Sequence, residues 1–113
     1  MVRFVRTMEQ AEKHAKNIDQ AIKEGYDVQF AADDLKEFQE MVVLSEQEIR
    51  VNMKKEEIEV QEKRLEQLKQ LMGLMEDVHQ KVNDDQAKQD SISDACQAVI
   101  KNTHQARKDL GQV

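Results

Sequence analysis

The chain has 113 residues, of which 35% are charged and 4% are aromatic, and it contains no proline. This length predicts a single domain covering residues 1–113. The formal net charge of −6 disfavours direct binding to nucleic acid or to an anionic membrane surface, because binding to phosphates needs a basic face. No run of about 18 apolar residues predicts a membrane span.

The cellular compartment is predicted from two features. A single cysteine, Cys96, rules out an intrachain disulfide framework. The N-terminal segment is followed by charged residues rather than by the apolar core of a signal peptide. We therefore expect a cytoplasmic protein, although a protein exported by a leaderless route would have the same sequence features.

The composition predicts an all-α fold, because the polar residues are mostly good helix formers and the apolar residues recur at helical spacing. The first helix is predicted over about residues 3–24. Its apolar positions keep a 4-3-4-3-4 spacing, which is typical of a heptad seam: Phe4, Met8, Ala11, Ala15, Ile18 and Ile22. Gly25 follows this seam, where a left-handed helix cap is expected.

A second helix is predicted from about residue 28, and the short connection to the first helix predicts an antiparallel hairpin. Its seam is formed by Val28, Ala31, Leu35, Phe38, Val42 and Ile49, with Ser45 as a polar member. The seam fades between Arg50 and Leu65. Either the chain turns near Asn52 or one helix continues through a shift of register, and the strong helix formers in this segment favour one helix over 28–82. Such a helix would be about 80 Å long.

A last helix is predicted over about residues 85–110. Either the chain turns at residues 83–85, or one helix continues with Asp85 and Gln89 as a polar layer, and we favour the turn. We expect the seam to join helices of an oligomer: Val82, Ile92, Cys96, Val99, Thr103, Ala106 and Leu110. The expected architecture is a hairpin that extends into a long coiled coil or three-helix bundle, elongated and with partly uncovered seams.

The segment from Leu68 to Val78 carries a wider apolar face than a two-helix contact needs, and it is interrupted by Gly73. The face consists of Leu68, Leu71, Met72, Leu74, Met75 and Val78. Methionine-rich faces suit adaptable binding of partner helices. The alternative is that this segment forms the centre of the protein's own core.

Nothing in the sequence predicts an enzyme, a metal site or a cofactor. Glu76 and His79 match half of a di-iron helical motif, but neither His14 nor His104 supplies the other half. Glu76 and His79 are therefore interpreted as part of a solvated face. Cys96 has no base within reach, which favours a small buried hydrophobe over a nucleophile.

The C-terminal positions resemble a SNARE motif, in which a glutamine layer lies among apolar layers. The residues that carry the resemblance are Gln89, Ile92, Cys96, Val99, Thr103, Ala106 and Leu110. It covers about a third of the chain and implies an element that assembles with partner helices. In form, the chain is also similar to secretion-system chaperones and to subunits of coiled-coil tethering complexes.

The sequence thus predicts a non-catalytic interaction protein, an adaptor, chaperone or assembly subunit, whose apolar seams bind helices of another copy or of another protein. Homo-oligomers are expected, because a rod with uncovered seams leaves apolar surface in water. One alternative is a small acidic helical inhibitor or effector that blocks its partner. A metal-dependent helical-bundle enzyme is a further alternative.

Overall fold

The computed structural model describes residues 2–30, 32–51, 58–84 and 87–111, with the side chain of Ala32 excepted. These ranges contain four α-helices: α1 (Val2–Lys23), α2 (Ala32–Val51), α3 (Ile58–Val82) and α4 (Gln89–Asp109). No strand is found in the ranges described. The predicted all-α class is confirmed for this part of the chain. None of these helices is long and apolar enough to span a bilayer.

The end of α1 shows how the sequence specifies a reversal. Gly25 adopts a φ of 86°, a left-handed conformation that residues with a Cβ rarely adopt. The Gly25 N–H donates to the Ile22 carbonyl (3.1 Å) and the Tyr26 N–H donates to the Ala21 carbonyl (3.0 Å). This pair of bonds is a Schellman motif, which ends α1 and directs the chain towards α2.

The helices form an up-down-up-down bundle in which each helix contacts the next and α4 closes the ring against α1. Hydrogen-bonded pairs show that neighbouring helices run antiparallel, because the partner's number falls as the residue number rises. On α1, residue 3 bonds residue 48 of α2 and residue 7 bonds residue 45. From residue 12 to residue 19, the bonded partners on α4 fall from 107 to 97. Along α3, from residue 63 to residue 70, the partners on α4 fall from 109 to 102.

The predicted long helix over 28–82 is corrected by this arrangement. Two helices, α2 and α3, lie side by side in that part of the chain, and the proposed register shift between them, at residues 52–57, lies outside the described residues. The radius of gyration is 14.7 Å and the longest extent is 48 Å, so the fold is fairly compact rather than elongated. Folding α3 back on α2 buries apolar surface that a rod would leave in water.

The chain also reverses between Val82 and Gln89, which agrees with the turn favoured from the sequence, while Asp85 itself lies outside the described residues.

Small buried residues are concentrated on two of the four helices: Ala11 and Ala15 on α1, and Ala95, Cys96 and Ala106 on α4. Because small side chains let helix backbones approach closely, α1 and α4 make the most extensive contact in the bundle.

A buried polar pair joins α1 to α2. The Thr7 and Ser45 hydroxyls are 2.7 Å apart. Thr7 also donates to the Arg3 carbonyl (2.8 Å), and the Ser45 hydroxyl lies 2.9 Å from the Met41 carbonyl. Ser45 therefore keeps its hydrogen bonds although it occupies a core position of the α2 seam, and its burial carries no unsatisfied group.

Candidate functional site

Two imidazoles from distant parts of the chain meet beside the α1–α2 connection. His14 on α1 and His79 on α3 place their Nε2 atoms 3.0 Å apart. His79 is buried and His14 is half-buried. At this separation one Nε2 donates its proton to the lone pair of the other, so the pair bridges two helices that are not joined in the ring of helix contacts.

The chain between α1 and α2 holds this pair in place. Phe30 stacks on His79 with ring centroids 4.2 Å apart and an interplanar angle of 7°. The side-chain amide of Asn83 closes two hydrogen bonds with the Phe30 backbone, accepting from its N–H (2.9 Å) and donating to its carbonyl (3.0 Å). The connection is thereby fixed to the end of α3, with an aromatic ring over one imidazole.

Burial sets the charge state of the two histidines. It lowers the pKa of His14 below the ordinary 6.5, while the nearby Asp34 carboxylate opposes that shift. Burial likewise lowers the pKa of His79, and repulsion from His14 lowers it further. Both imidazoles are therefore mainly neutral at pH 7, which leaves lone pairs available on nitrogen.

The histidines line one wall of a half-open cleft of about 370 Å³. We call it the histidine cleft. Its apolar walls are Phe30, Phe38, Met41 and Met75, and its polar groups are Gln10, His14, Asp34, Glu37 and His79. Among the residues that the structure describes, no three His, Cys, Asp or Glu side chains are grouped to hold a metal ion. An apolar lining with a few converging polar groups is typical of ligand pockets.

The chain was compared with known proteins. No family model matches it, and no curated protein or solved structure is significantly similar to it. The geometry of its own side chains is therefore what bears on its function.

A second depression, which we call the α2–α3 groove, lies between those two helices and has a volume of about 400 Å³. Its apolar residues are Val42, Leu65 and Met72, and its charged residues are Glu46, Arg50, Glu62, Glu66 and Lys69. Elsewhere on the same two helices, α2 exposes Val43 (50%) and Leu44 (41%), and α3 exposes Val60 (38%) near its start. The groove is therefore an apolar strip with charged residues beside it.

The predicted partner-binding face of α3 is mostly internal. Leu68, Leu71, Met75 and Val78 are buried among the protein's own helices, so they are not free for a partner in the folded chain. Met72 and Leu74 are only partly buried. The wide apolar face arises because α3 packs against both α2 and α4, which is the internal-core alternative stated above.

The predicted oligomer seam is also covered within the chain. Ile92, Cys96, Val99, Thr103 and Ala106 are buried, and Val82 and Leu110 are partly buried against the same core. The antiparallel packing of α4 on α1 and α3 covers these positions. The apolar surface that led us to expect oligomers is therefore hidden by the fold itself.

The burial of two further residues, Cys96 and His79, can be compared with the prediction from the sequence. Cys96 is fully buried, and burial raises the pKa of its thiol to about 11, so it is not activated as a nucleophile. His79 was interpreted as part of a solvated face, and that was wrong: its exposure is only 7%. His14 and His79 each lie directly beside a buried seam residue, Ala15 and Val78, which was the signal available in the sequence.

Proposed function

We propose that this chain is a non-catalytic helical-bundle protein that binds one amphipathic helix of a partner protein in its α2–α3 groove. The observation that supports this most is the groove itself, an apolar strip between two antiparallel helices with charged residues on both sides. Grooves of this kind take an amphipathic helix that lays its apolar face on the strip.

The charges favour a basic partner over a second copy of the chain. Three of the five charged residues around the groove are glutamates, and Arg50 already pairs with Glu46 (3.8 Å). The whole chain carries a net charge of −6, so two copies repel each other at long range. A helix whose apolar stripe is flanked by lysine or arginine would be attracted instead, and complementary potentials raise association rates and reject wrong partners.

This proposal uses a different surface from the seams that the sequence suggested. Those seams are occupied by the protein's own helices, whereas the α2–α3 groove is accessible without unfolding. Binding there needs no rearrangement of the described helices. It also separates the working surface from the most closely packed contact, between α1 and α4.

The test uses two synthetic helical peptides with the same leucine stripe, one flanked by lysines and one by glutamates. We expect the lysine peptide to bind, with NMR shift changes concentrated at Val42, Leu65 and Met72, and the glutamate peptide to bind at least about tenfold more weakly. The Glu62→Lys/Glu66→Lys variant should reverse this preference. As a matched control, Glu24→Lys/Asp94→Lys changes the net charge equally, away from the groove, and should preserve it.

Two results would overturn the proposal. The first is peptide binding that is indifferent to the groove charges, or shift changes spread evenly over the bundle. The second is concentration-dependent dimerisation of the chain alone, by analytical ultracentrifugation, with the same groove resonances perturbed. In that case a second copy would be the occupant. The peptide affinity should also weaken as salt rises, because exposed charges are screened.

A further inference from the structure

The geometry of the histidine pair fits a hydrogen bond, and it is also close to that of two imidazoles bound to one metal ion. The two Nε2 atoms lie 3.0 Å apart, although His14 and His79 are separated by 65 positions in the sequence. Two imidazoles bound to one tetrahedral zinc ion, with Zn–N bonds of about 2.0–2.1 Å, place their nitrogens roughly 3.3 Å apart. Separating the rings by a few tenths of an ångström would therefore make room for an ion between them.

We propose that His14 and His79 form a two-imidazole site for a divalent transition-metal ion of the zinc class in the wall of the histidine cleft. Imidazole nitrogen is a good ligand for this class of ion. The site is independent of the α2–α3 groove and of any partner that the groove binds.

Three features of the cleft favour a cation at this position. Asp34 and Glu37 line the same cleft, and their carboxylates supply compensating negative charge. Both imidazoles are mainly neutral at pH 7, so the Nε2 proton that one ring donates can move to its own Nδ1, and both Nε2 lone pairs then face the ion without a net loss of protons. The cleft is half-open, which lets water complete the coordination of the ion.

The stacked Phe30 gives the site its orientation. Its ring lies parallel to the His79 imidazole at 4.2 Å, and the two hydrogen bonds to Asn83 keep it there. His79 therefore cannot rotate away from His14 without breaking the stack. Fixing the orientation of a ligating imidazole is a usual role of the groups around a metal site.

The same facts bound the strength of the site. In the described ranges no third His, Cys, Asp or Glu joins the pair to form a ligand cluster. Closed zinc sites have four protein ligands, and catalytic sites have three. We therefore expect binding that is weaker than in those sites and reversible by a chelator, a site that occupancy stabilises rather than one that the fold requires.

The experiment is calorimetric titration of the chelator-treated, full-length chain with zinc ions alone. We expect one ion per chain, a rise in Tm on binding, and a loss of affinity of about 10- to 100-fold or more in His14→Ala and in His79→Ala. The third histidine, His104, is exposed on α4 and provides the matched control: His104→Ala should bind zinc like the unaltered chain.

A second variant distinguishes loss of the zinc ligand from loss of folding. His79→Gln retains a polar group of similar reach, and circular dichroism will show whether it stays helical; folded His79→Gln should still lose zinc binding. Unchanged affinity in folded His14→Ala or His79→Gln, equal loss in His104→Ala, or no binding at millimolar zinc would each overturn the proposal. The groove variants Glu62→Lys/Glu66→Lys should bind zinc normally, so failure of one proposal does not decide the other.

Discussion

The two sides of this bundle differ in how they are closed. Between α1 and α4, buried alanines allow close packing, and the edges are joined by Arg107 with Glu12 (2.7 Å) and by Gln97 with Asp19 (3.3 Å). Between α2 and α3, a groove of about 400 Å³ remains open, with Val42, Leu65 and Met72 as its apolar residues. Close packing on one side leaves the other side free to present surface.

The difference originates in the size of the residues that face each contact. The α1 seam is regular and contains two alanines at its centre, so a neighbouring helix can approach closely there. The α2 and α3 faces that meet at the groove carry long charged side chains next to Val42 and Met72. Their charged ends stay in water, which keeps those helices apart at the surface.

The largest effect is expected from a larger side chain at the α1–α4 contact, which we call the closed side. Ala15 is 0% exposed at the α1–α4 contact, so Ala15→Leu forces extra methylenes into a packed interface. We expect the free energy of unfolding to fall by about 2–3 kcal/mol, measured by urea denaturation. Val43→Leu adds bulk at an exposed position of α2 and should change stability by no more than about 0.5 kcal/mol. Similar losses for both variants would remove the distinction between the two sides.

Residues on the closed side were also the ones that the sequence predicted best. The α1 seam has a regular period, a small-residue centre and a glycine cap, and each of these acts within one helix. A turn near Asn52 was one of the two alternatives but was not favoured, because the residues there are strong helix formers and no glycine or proline marks a reversal. Propensity is local, whereas folding α3 back is favoured by burial between distant segments.

The candidate sites follow the same division. The wide apolar face from Leu68 to Val78 was visible in the sequence, but its two neighbours, α2 and α4, were not, so its use as core could not be distinguished from use as surface. The histidine pair joins positions 14 and 79, and no spacing rule relates residues so far apart. The α2–α3 groove likewise depends on which helices become neighbours, which periodicity alone does not determine.

A smaller effect is expected on acidification, and it probes the histidine cleft. Burial holds the pKa of His14 and of His79 below 6.5, so the unfolded chain takes up protons first as the pH falls. The stability contributed by the neutral pair is thus present above about pH 6.5 and is lost as the pH falls through the lowered pKa values. We expect urea midpoints in the presence of a chelator to decline from pH 7 to pH 5.

The carboxylates of the closed side respond in a separate range. Hydrogen bonds from Ser93, Lys23 and Gln97, together with the charge of Lys23, hold the pKa of Asp19 below 3.8 despite the opposing effect of burial. Its contribution is therefore retained down to about pH 4 and lost below it. The His14→Gln/His79→Gln variant should flatten the decline between pH 7 and pH 5 and leave the acid limb unchanged. An unaltered decline in that variant would assign it to other groups.

The smallest effect is a gain in stability, expected at the glycine within α3. Gly73 lies in α3, exposed, and a Cβ built there meets no atom within 4 Å, so no neighbouring helix requires the glycine and no close approach offsets its cost. Gly73→Ala should raise the free energy of unfolding by about 0.5–1 kcal/mol, because alanine loses less backbone entropy in a helix. Urea denaturation of Gly73→Ala and Ala15→Leu then compares a larger side chain at an open position of α3 with a larger side chain at a packed helix contact. Destabilisation by Gly73→Ala would mean that α3 is contacted at this point by something beyond the four helices.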